Sequence, residues 1–450
     1  MDTQALSQLK NRIAGDVITP DSPEYETRRR VLNRTGSPAV IVRAQSVEDI
    51  VATLRFAREQ RLVISIRSGG HLLTGQATND GGLALDMTRF NAVTLLDAEQ
   101  RLVRIGAGAH WGEVATALAE HDLAISSGDT NQVGVGGLTL GGGIGWMVRT
   151  HGLTIDSLRA AELVTADGRV LRVSADEYPD LFWAIRGGGG NFGVVTSFDF
   201  EAQPCKGTVG GMVTYDTAEA HSVLTNWVGA MRDAPDDLNS TIVLFSGFGP
   251  QMPPQVMVLL CYAGDDETVA RGAIEPFLRL GDVRSQDIQK KPYAAMLEDA
   301  QPLPPSFKMV GHNGFVRTLG SEVIEVVATH YGQAGAPIAQ IRRLGGSMAR
   351  VDPQATAFAH RENEALVVVP AFAPADAPVE QVQQMRQAAW GPLAPFSSGA
   401  YGNFLSEASA ASVAAAYPGE TYSRLARIKA IYDPENLFNQ NLNIKPAAQG

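Results

Sequence analysis

The chain has 450 residues, 44% of them hydrophobic and 19% charged, with a formal net charge of −11. That length leaves room for two domains, and the acidic balance excludes nucleic acid as the main partner, because a phosphate backbone is bound by a basic face. No run of eighteen apolar residues occurs, so no membrane span is expected.

The N-terminal stretch from Met1 to Leu6 lacks the basic start and apolar core of a secretory signal, so the cytoplasm is the expected location. Cys205 and Cys261 lie far apart, show no metal-ligand spacing and are expected to be buried free thiols, with no metal site.

The first helix is expected over residues 46–60. Ser46-Val47-Glu48-Asp49 resembles a capping box with Asp at the third helical position, and Ile50, Val51, Leu54 and Ala57 follow at helical spacing. The apolar run 62–66 reads as a strand and opens into Arg67-Ser68-Gly69-Gly70-His71. Glycine there lets the backbone turn sharply and approach a ligand, with the imidazole at the mouth of the turn. Short strands are expected at 82–86, 93–95 and 102–105, and a helix from Trp111 to His121. Residues 128–145 form a second glycine loop. The runs 161–165 and 170–173 make a hairpin around Asp167-Gly168. Mixed short helices and strands give an α+β domain rather than a regular βαβ array.

Past Pro204 the texture changes. Glycine clusters become rarer, Pro-containing loops more frequent, and alternating strands appear at 255–260 and 365–369, with a helix from Glu322 to His330. A helix from Tyr422 to Ile431 is stopped by Asp433-Pro434, and Asn439 to Ile444 follows. The organisation read from these changes is residues 1–206, a second domain over 207–400, and a C-terminal segment 401–450 that returns to the first domain.

Glycine is unevenly spread among its 46 positions, with clusters at 69–70, 134–145 and 187–193, all in the first half. The run Gly188-Gly189-Gly190-Asn191-Phe192-Gly193 fits a dinucleotide-binding pattern. The β-like segment 194–200 follows it, however, where that site needs a helix. The 128–145 loop lacks the Lys-Ser/Thr pair of a triphosphate-binding loop. What remains is a backbone surface able to lie against a planar ring and a pyrophosphate.

These segments resemble those of a known family. Arg67 to His71, the loop 133–145, Gly152 to Asp156, Leu181 to Thr196 and the tail Tyr432 to Ile444 are similar, in order, to the berberine-bridge-enzyme-like FAD oxidases of the vanillyl-alcohol oxidase superfamily, and within it to small bacterial members. The resemblance implies a two-part FAD-binding domain of the PCMH type and a substrate domain with an antiparallel sheet backed by helices. It implies FAD attached covalently through its 8α-methyl group to His71, a role that suits a neutral, nucleophilic imidazole. The cysteine that makes a second link in many relatives is Thr130 here, so attachment is expected to be single. Val133 stands at the family's oxygen gate, where a small residue favours an oxidase.

The cofactor-binding residues implied are Arg67, Ser68, Gly69, Gly70, His71, Gly75, Gln76, Gly128, Thr130, Val133, Gly134, Gly136, Gly137, Gly141, Gly142, Gly143, Gly145, Asp156, Gly193, Val195, Asn441 and Asn443.

The reaction implied is hydride transfer from a small alcohol, sugar or amine to flavin N5, with oxygen reoxidising the flavin to give hydrogen peroxide. A flavin dehydrogenase with another acceptor and a non-catalytic FAD-binding protein are the alternatives. Relatives often carry a carboxylate or amide on a strand after a His-Arg pair. The pair here is His360-Arg361 and the strand position reads as Val369, so that base is missing; Glu362 and Glu364 are expected to be solvated or at the domain interface. Tyr401 is then the candidate base or substrate-orienting group, with Asn403 as a hydrogen-bond donor. An amine bound neutral would need no base. The sequence does not identify the substrate or the oligomeric state.

Overall fold

The computed structural model describes residues 3–247, 252–300, 303–304, 306–333 and 335–448. The helix Val47–Glu59 forms because Ile50, Leu54, Phe56 and Ala57 share one buried face, each large apolar side chain adding about 1.5–3 kcal/mol of burial. Ser46 caps it by accepting from the Asp49 amide. The expected capping box does not close, because the Asp49 carboxylate accepts instead from the amides of Ala14, Gly15 and Gln45, at 2.7, 3.0 and 2.8 Å. That ties the helix start to the N-terminal segment.

This helix connects two strands of a four-stranded sheet ordered Asp16–Ile18, Val40–Arg43, Leu83–Asp86, Ile64–Arg67. The last three run parallel, so the domain does contain one βαβ crossover, with a third strand slotted between its two strands. A five-stranded antiparallel sheet stands beside it, ordered Val170–Ser174, Leu158–Val164, Val194–Glu201, Leu102–Gly106, Val93–Asp97. Its first pair is the expected hairpin, and Gly168 adopts φ +87° at the turn. The segment after Gly193 is a strand, which disposes of the dinucleotide-binding alternative.

From Thr208 the chain builds an antiparallel sheet. Its path runs Ser285–Gln286, Thr208–Tyr215, Gln255–Tyr262, Leu238–Phe245, Ala339–Arg343, Ala365–Val369, His312–Val316. One face packs on helices Ala220–Asp233, Glu267–Ile274, Ser321–Tyr331 and Val379–Trp390 through Val213, Trp227, Val258, Val327 and Val367. The other face meets the first domain through Phe315, Leu366, Phe358 and Tyr401, which pack on Ile144, Val148 and Ile155.

The C-terminal helix Glu420–Tyr432 packs on Pro179–Ile185. The tail beyond it is held by Asn191, whose amide donates to the Leu442 carbonyl at 3.1 Å and accepts from the Ile444 amide at 3.0 Å. Buried Lys429 completes the joint by donating to the carbonyls of Asn191 and Phe438 and to the Asp433 carboxylate, at 2.8–2.9 Å.

The glycine run 128–145 differs from its reading as a loop. Residues Val135–Leu140 form a short helix within it. Val135, Leu138 and Thr139 are buried, and that burial outweighs the poor helix propensity of the two glycines between them.

Candidate active site

The strand Ile64–Arg67 ends on a turn in which Gly70 adopts φ +72°, a conformation that suits glycine, and His71 follows. The two glycine loops interlock through their backbones. A Cβ on Gly69 would sit 2.4 Å from the Gly134 nitrogen, and one on Gly134 2.1 Å from the Gly69 nitrogen. Ser68 pins the junction by donating to the Ala107 carbonyl at 2.6 Å and accepting from the Gly136 amide at 3.3 Å. Among the described residues neither ring nitrogen of His71 has a hydrogen-bond partner. Burial, and next the neighbouring His110, hold its pKa below the usual histidine value, so the ring is neutral and its lone pair free.

These loops line a cavity of about 690 Å³ between the two domains, within the range of cofactor and ligand sites. The residues present fit an FAD. A Cβ added at Gly137 or Gly190, both in the lining, would meet nothing within 4 Å, so the wall there is bare backbone facing open space. Among the described residues, buried polar atoms without a partner occur in the lining at Asn441 Oδ1, and next in sequence to lining residues at Thr74 Oγ1, Gln76 Oε1, Thr139 Oγ1 and Asn443 Oδ1. Unanswered buried polar atoms are costly, and the hydroxyls and ring polar groups of a bound FAD would be suited to answer them.

Of the residues singled out from sequence, Ser68, Gly69, Gly70, His71, Gly128, Thr130, Val133, Gly134, Gly136, Gly137, Gly141, Gly193, Val195, Tyr401, Asn403 and Asn441 line this cavity. Arg67, Gly75, Gln76, Gly142, Gly143, Gly145, Asp156 and Asn443 do not. Arg67 is the last residue of its strand and points away, donating to Asp86 and to the Arg28 carbonyl. Its charge, together with hydrogen bonds from Thr88, holds the Asp86 carboxyl below its usual value against the opposing effect of burial. Gly75 packs on the Arg34 side chain, Gly142 on Phe358, Gly143 on Thr154 and Gly145 on the Ser127 carbonyl. Asp156 is taken by buried Arg361 in a bidentate pair at 2.6 and 3.0 Å, a bond between the domains rather than to a ligand. Gln76 and Asn443 adjoin the lining residues Ala77 and Leu442 in sequence and carry the oxygens, unpartnered among the described residues, named above.

The candidate base needs revision. Tyr401 lines the cavity, but its hydroxyl accepts from the Gly143 amide at 3.0 Å and from the Asn403 amide at 2.9 Å. Burial pushes its pKa up to about 12. It is a neutral strut between the glycine loop and Asn403, which in turn donates to the Leu138 carbonyl at 3.2 Å and packs against Gly141.

The strand position is also displaced by one residue. Val369 points into the helix-backed core, and Val368 lines the cavity. Neither ionises. Glu362 pairs with Arg317 at 3.0 Å, and Glu364 with Arg343 at 2.8 Å, both outside the cavity. His360 is buried in the lining, stacked on Phe315 at 4.5 Å, with Nε2 3.1 Å from the Ala416 carbonyl. Burial lowers its pKa to about 4, so it too is neutral.

Sequence reasoning did not single out the charged residues beside the 128–132 loop. There the backbone of Glu298 bridges the 128–132 loop, its amide donating to the Asp129 carbonyl at 2.8 Å and its carbonyl accepting from the Asn131 amide at 2.9 Å. Asp129, Glu298, Asp299 and Arg342 all line the cavity. The stretch around Glu298 has no periodicity and no motif; only the tertiary fold brings it to the loop.

The interlocked glycine loops, the free imidazole and the cleft between a glycine-rich domain and a sheet domain define a flavoprotein oxidoreductase. Residues 38–174 match the FAD binding domain family and residues 400–445 the berberine and berberine-like family. The chain is 30% identical over 453 residues to (R)-6-hydroxynicotine oxidase of Paenarthrobacter nicotinovorans, covering 96% of this chain and 97% of that protein. It is 28% identical over 483 residues to xylooligosaccharide oxidase of Thermothelomyces thermophilus, covering 98% and 95%. The crystal structure of 6-hydroxy-D-nicotine oxidase from Arthrobacter nicotinovorans superposes with a TM-score of 0.86 at 30% identity, over 97% of this chain and 98% of that one. The protein therefore belongs to the berberine-bridge-enzyme-like FAD-linked oxidoreductases and is an FAD-dependent enzyme.

Proposed function

We propose that the protein is an oxidase of a small organic substrate, with a single covalent FAD link at His71 and oxygen as the electron acceptor. The observation that carries this reading is the state of His71. It is a neutral imidazole without a hydrogen-bond partner among the described residues, presented by a strand end into the glycine-lined cavity. Thr130 supports single attachment, since it has no sulfur to offer; its hydroxyl donates to its neighbour Asp129. Val133 supports oxygen as acceptor, because it lines the cavity with a small side chain. When bound, FAD supplies the two-electron chemistry that no side chain of the chain provides.

The protein's own residues do the remaining work. The glycine loops give a wall that the ring can approach without side-chain obstruction. Tyr401 and Asn403 fix the loop 138–143 beneath it. Phe358, Phe404, Val368 and Phe372 supply an apolar wall that excludes water from the reacting face.

Acid-precipitated protein is expected to stay yellow, and His71→Ala protein to yield a colourless pellet. A colourless pellet from the unmodified protein would overturn covalent attachment. Mixing the reduced protein with aerated buffer tests the acceptor: rapid reoxidation is expected, and slow reoxidation would make the enzyme a dehydrogenase.

A further inference from the structure

Between the strands Ile64–Arg67 and Leu83–Asp86 the chain forms neither helix nor strand, and His71 lies in that stretch. Its ring makes no hydrogen bond among the described residues, so hydrogen bonding can fix it only through the backbone on either side.

The tip of a small hairpin does this. Arg30–Val31 pairs with Arg34–Thr35, which leaves Leu32 and Asn33 as a two-residue turn. The Leu32 amide donates to the Gly70 carbonyl at 3.0 Å. The Asn33 side-chain nitrogen donates to the Leu73 carbonyl at 2.6 Å. These two bonds bracket His71 and Leu72.

The same side chain also reaches the second domain. Asn33 Nδ2 donates to the Met309 carbonyl at 2.8 Å, and Oδ1 accepts from the Met309 amide at 2.7 Å. Met309 ends the strand Phe307–Met309, which pairs with Phe372–Pro374. Both amide hydrogens and the oxygen of Asn33 are therefore in use, which fixes the way the amide faces. Asparagine in a turn commonly bonds the backbone two residues on. Here the three bonds go to segments 40 and 276 positions away. Leu32, Leu72, Leu73 and Met309, the residues around this clamp, line the cavity.

We infer that Asn33 is a positioning residue for the flavin link: it holds the 70–73 segment against the second domain, so that a ring nitrogen of His71 stands within bonding reach of the 8α carbon. This rests on the reading above that His71 carries the FAD. Attachment joins that nitrogen to the 8α carbon. One methyl C–H bond and the imidazole N–H bond break, two protons and two electrons pass to the ring system, and molecular oxygen then takes them up as hydrogen peroxide. Such a bond forms only when the two atoms are held near contact distance, and a misplacement of about 1 Å can slow it about a hundredfold.

The test follows attachment in time. Full-length protein from riboflavin-depleted cells is mixed with FAD. Total bound flavin is read after gel filtration, and attached flavin from the colour of the acid precipitate. Asn33→Ala removes the clamp. Asn33→Asp keeps the shape and the acceptor for the Met309 amide but loses both donations. Asn33 is only partly buried, so the groups freed by either change can turn to water and both variants are expected to fold. Both are expected to bind flavin to nearly the unmodified level and to attach it about ten- to a hundredfold more slowly. An unmodified attachment rate in either variant would overturn the inference. So would a parallel fall in total and attached flavin, which is the mark of a merely structural role. A colourless precipitate from the unmodified protein at all times is a separate result, and would overturn the His71 link itself.

Discussion

The two walls of the cavity are built by different means. The wall from the first domain is largely backbone: Gly69, Gly134, Gly137 and Gly190 approach or face the space with no side chain at all. The wall from the second domain is side chain: Val368 and Phe372 on strands, Phe358 on a loop and Phe404 at the end of a short 3-10 helix, with Glu298 also in the lining. A backbone wall suits one invariant ligand, because peptide groups are the same in every sequence. A side-chain wall suits discrimination, because each residue there can be exchanged without disturbing the loops. Under the proposed function the glycine wall would hold the cofactor and the side-chain wall would meet the substrate.

The largest effect is expected where the two walls are joined. Arg361→Ala leaves Asp156 without its partner across the domain interface and should cost about 3–5 kcal/mol, read as a shift in the denaturation midpoint. A loss below about 1 kcal/mol would mean that the walls are held together elsewhere.

The backbone wall separates glycines that serve packing from glycines that serve a ligand. Gly134→Ala drives a methyl into the Gly69 backbone and should cost about 3 kcal/mol or more of stability. Gly137→Ala meets no protein atom, so the melting temperature of the flavin-free protein should hold while flavin content falls. Equal stability losses in the two variants would erase that distinction.

A third expectation concerns acid. His360 titrates near 4 in the folded protein, against 6.5 when unfolded. A depressed folded value means its stabilising contribution is complete above pH 6.5 and is lost as pH falls toward 4. The shift is worth about 3 kcal/mol. His360→Gln should flatten most of the pH dependence of stability in that window. A slope identical to that of the unmodified protein would assign the acid sensitivity to other buried histidines, such as His151 and His312.

The smallest effect is expected at the gate. Val133→Leu adds one methylene over the space beside Thr130 and should slow reoxidation by oxygen about tenfold, or ~1.4 kcal/mol of barrier, with the anaerobic reductive half-reaction nearly unchanged. Equal slowing of both half-reactions would remove Val133 from a specific role with oxygen.

Much of the backbone wall was legible in the sequence. Glycine clusters mark turns and close approaches by local rules, so His71 and most of the loop residues follow from the chain alone. The misplaced residues within that wall have local causes. Arg67 continues its strand and turns its side chain to Asp86, while Gly142, Gly143 and Gly145 are small because Phe358, Thr154 and Ser127 press on them. Asp156 has the look of a motif residue and is half of an interdomain ion pair.

The side-chain wall was hardly legible. Side chains on a strand alternate between two faces, so an uncertainty of one residue exchanges Val369 for Val368 and core for cavity. Tyr401 can be located from sequence, but its role follows only from its two hydrogen bonds. Glu298 carries no local signal at all.

By itself the sequence determined the cofactor class, the α+β architecture and the imidazole at the strand end. Those depend on backbone conformations that only particular residues allow, and such requirements are written locally. The tertiary structure alone decided which carboxylates line the cleft and which tyrosine is a strut. Pairing and burial depend on residues hundreds of positions apart, such as Asp129 with Arg342 and Gly143 with Tyr401, which meet only when the second domain closes over the first.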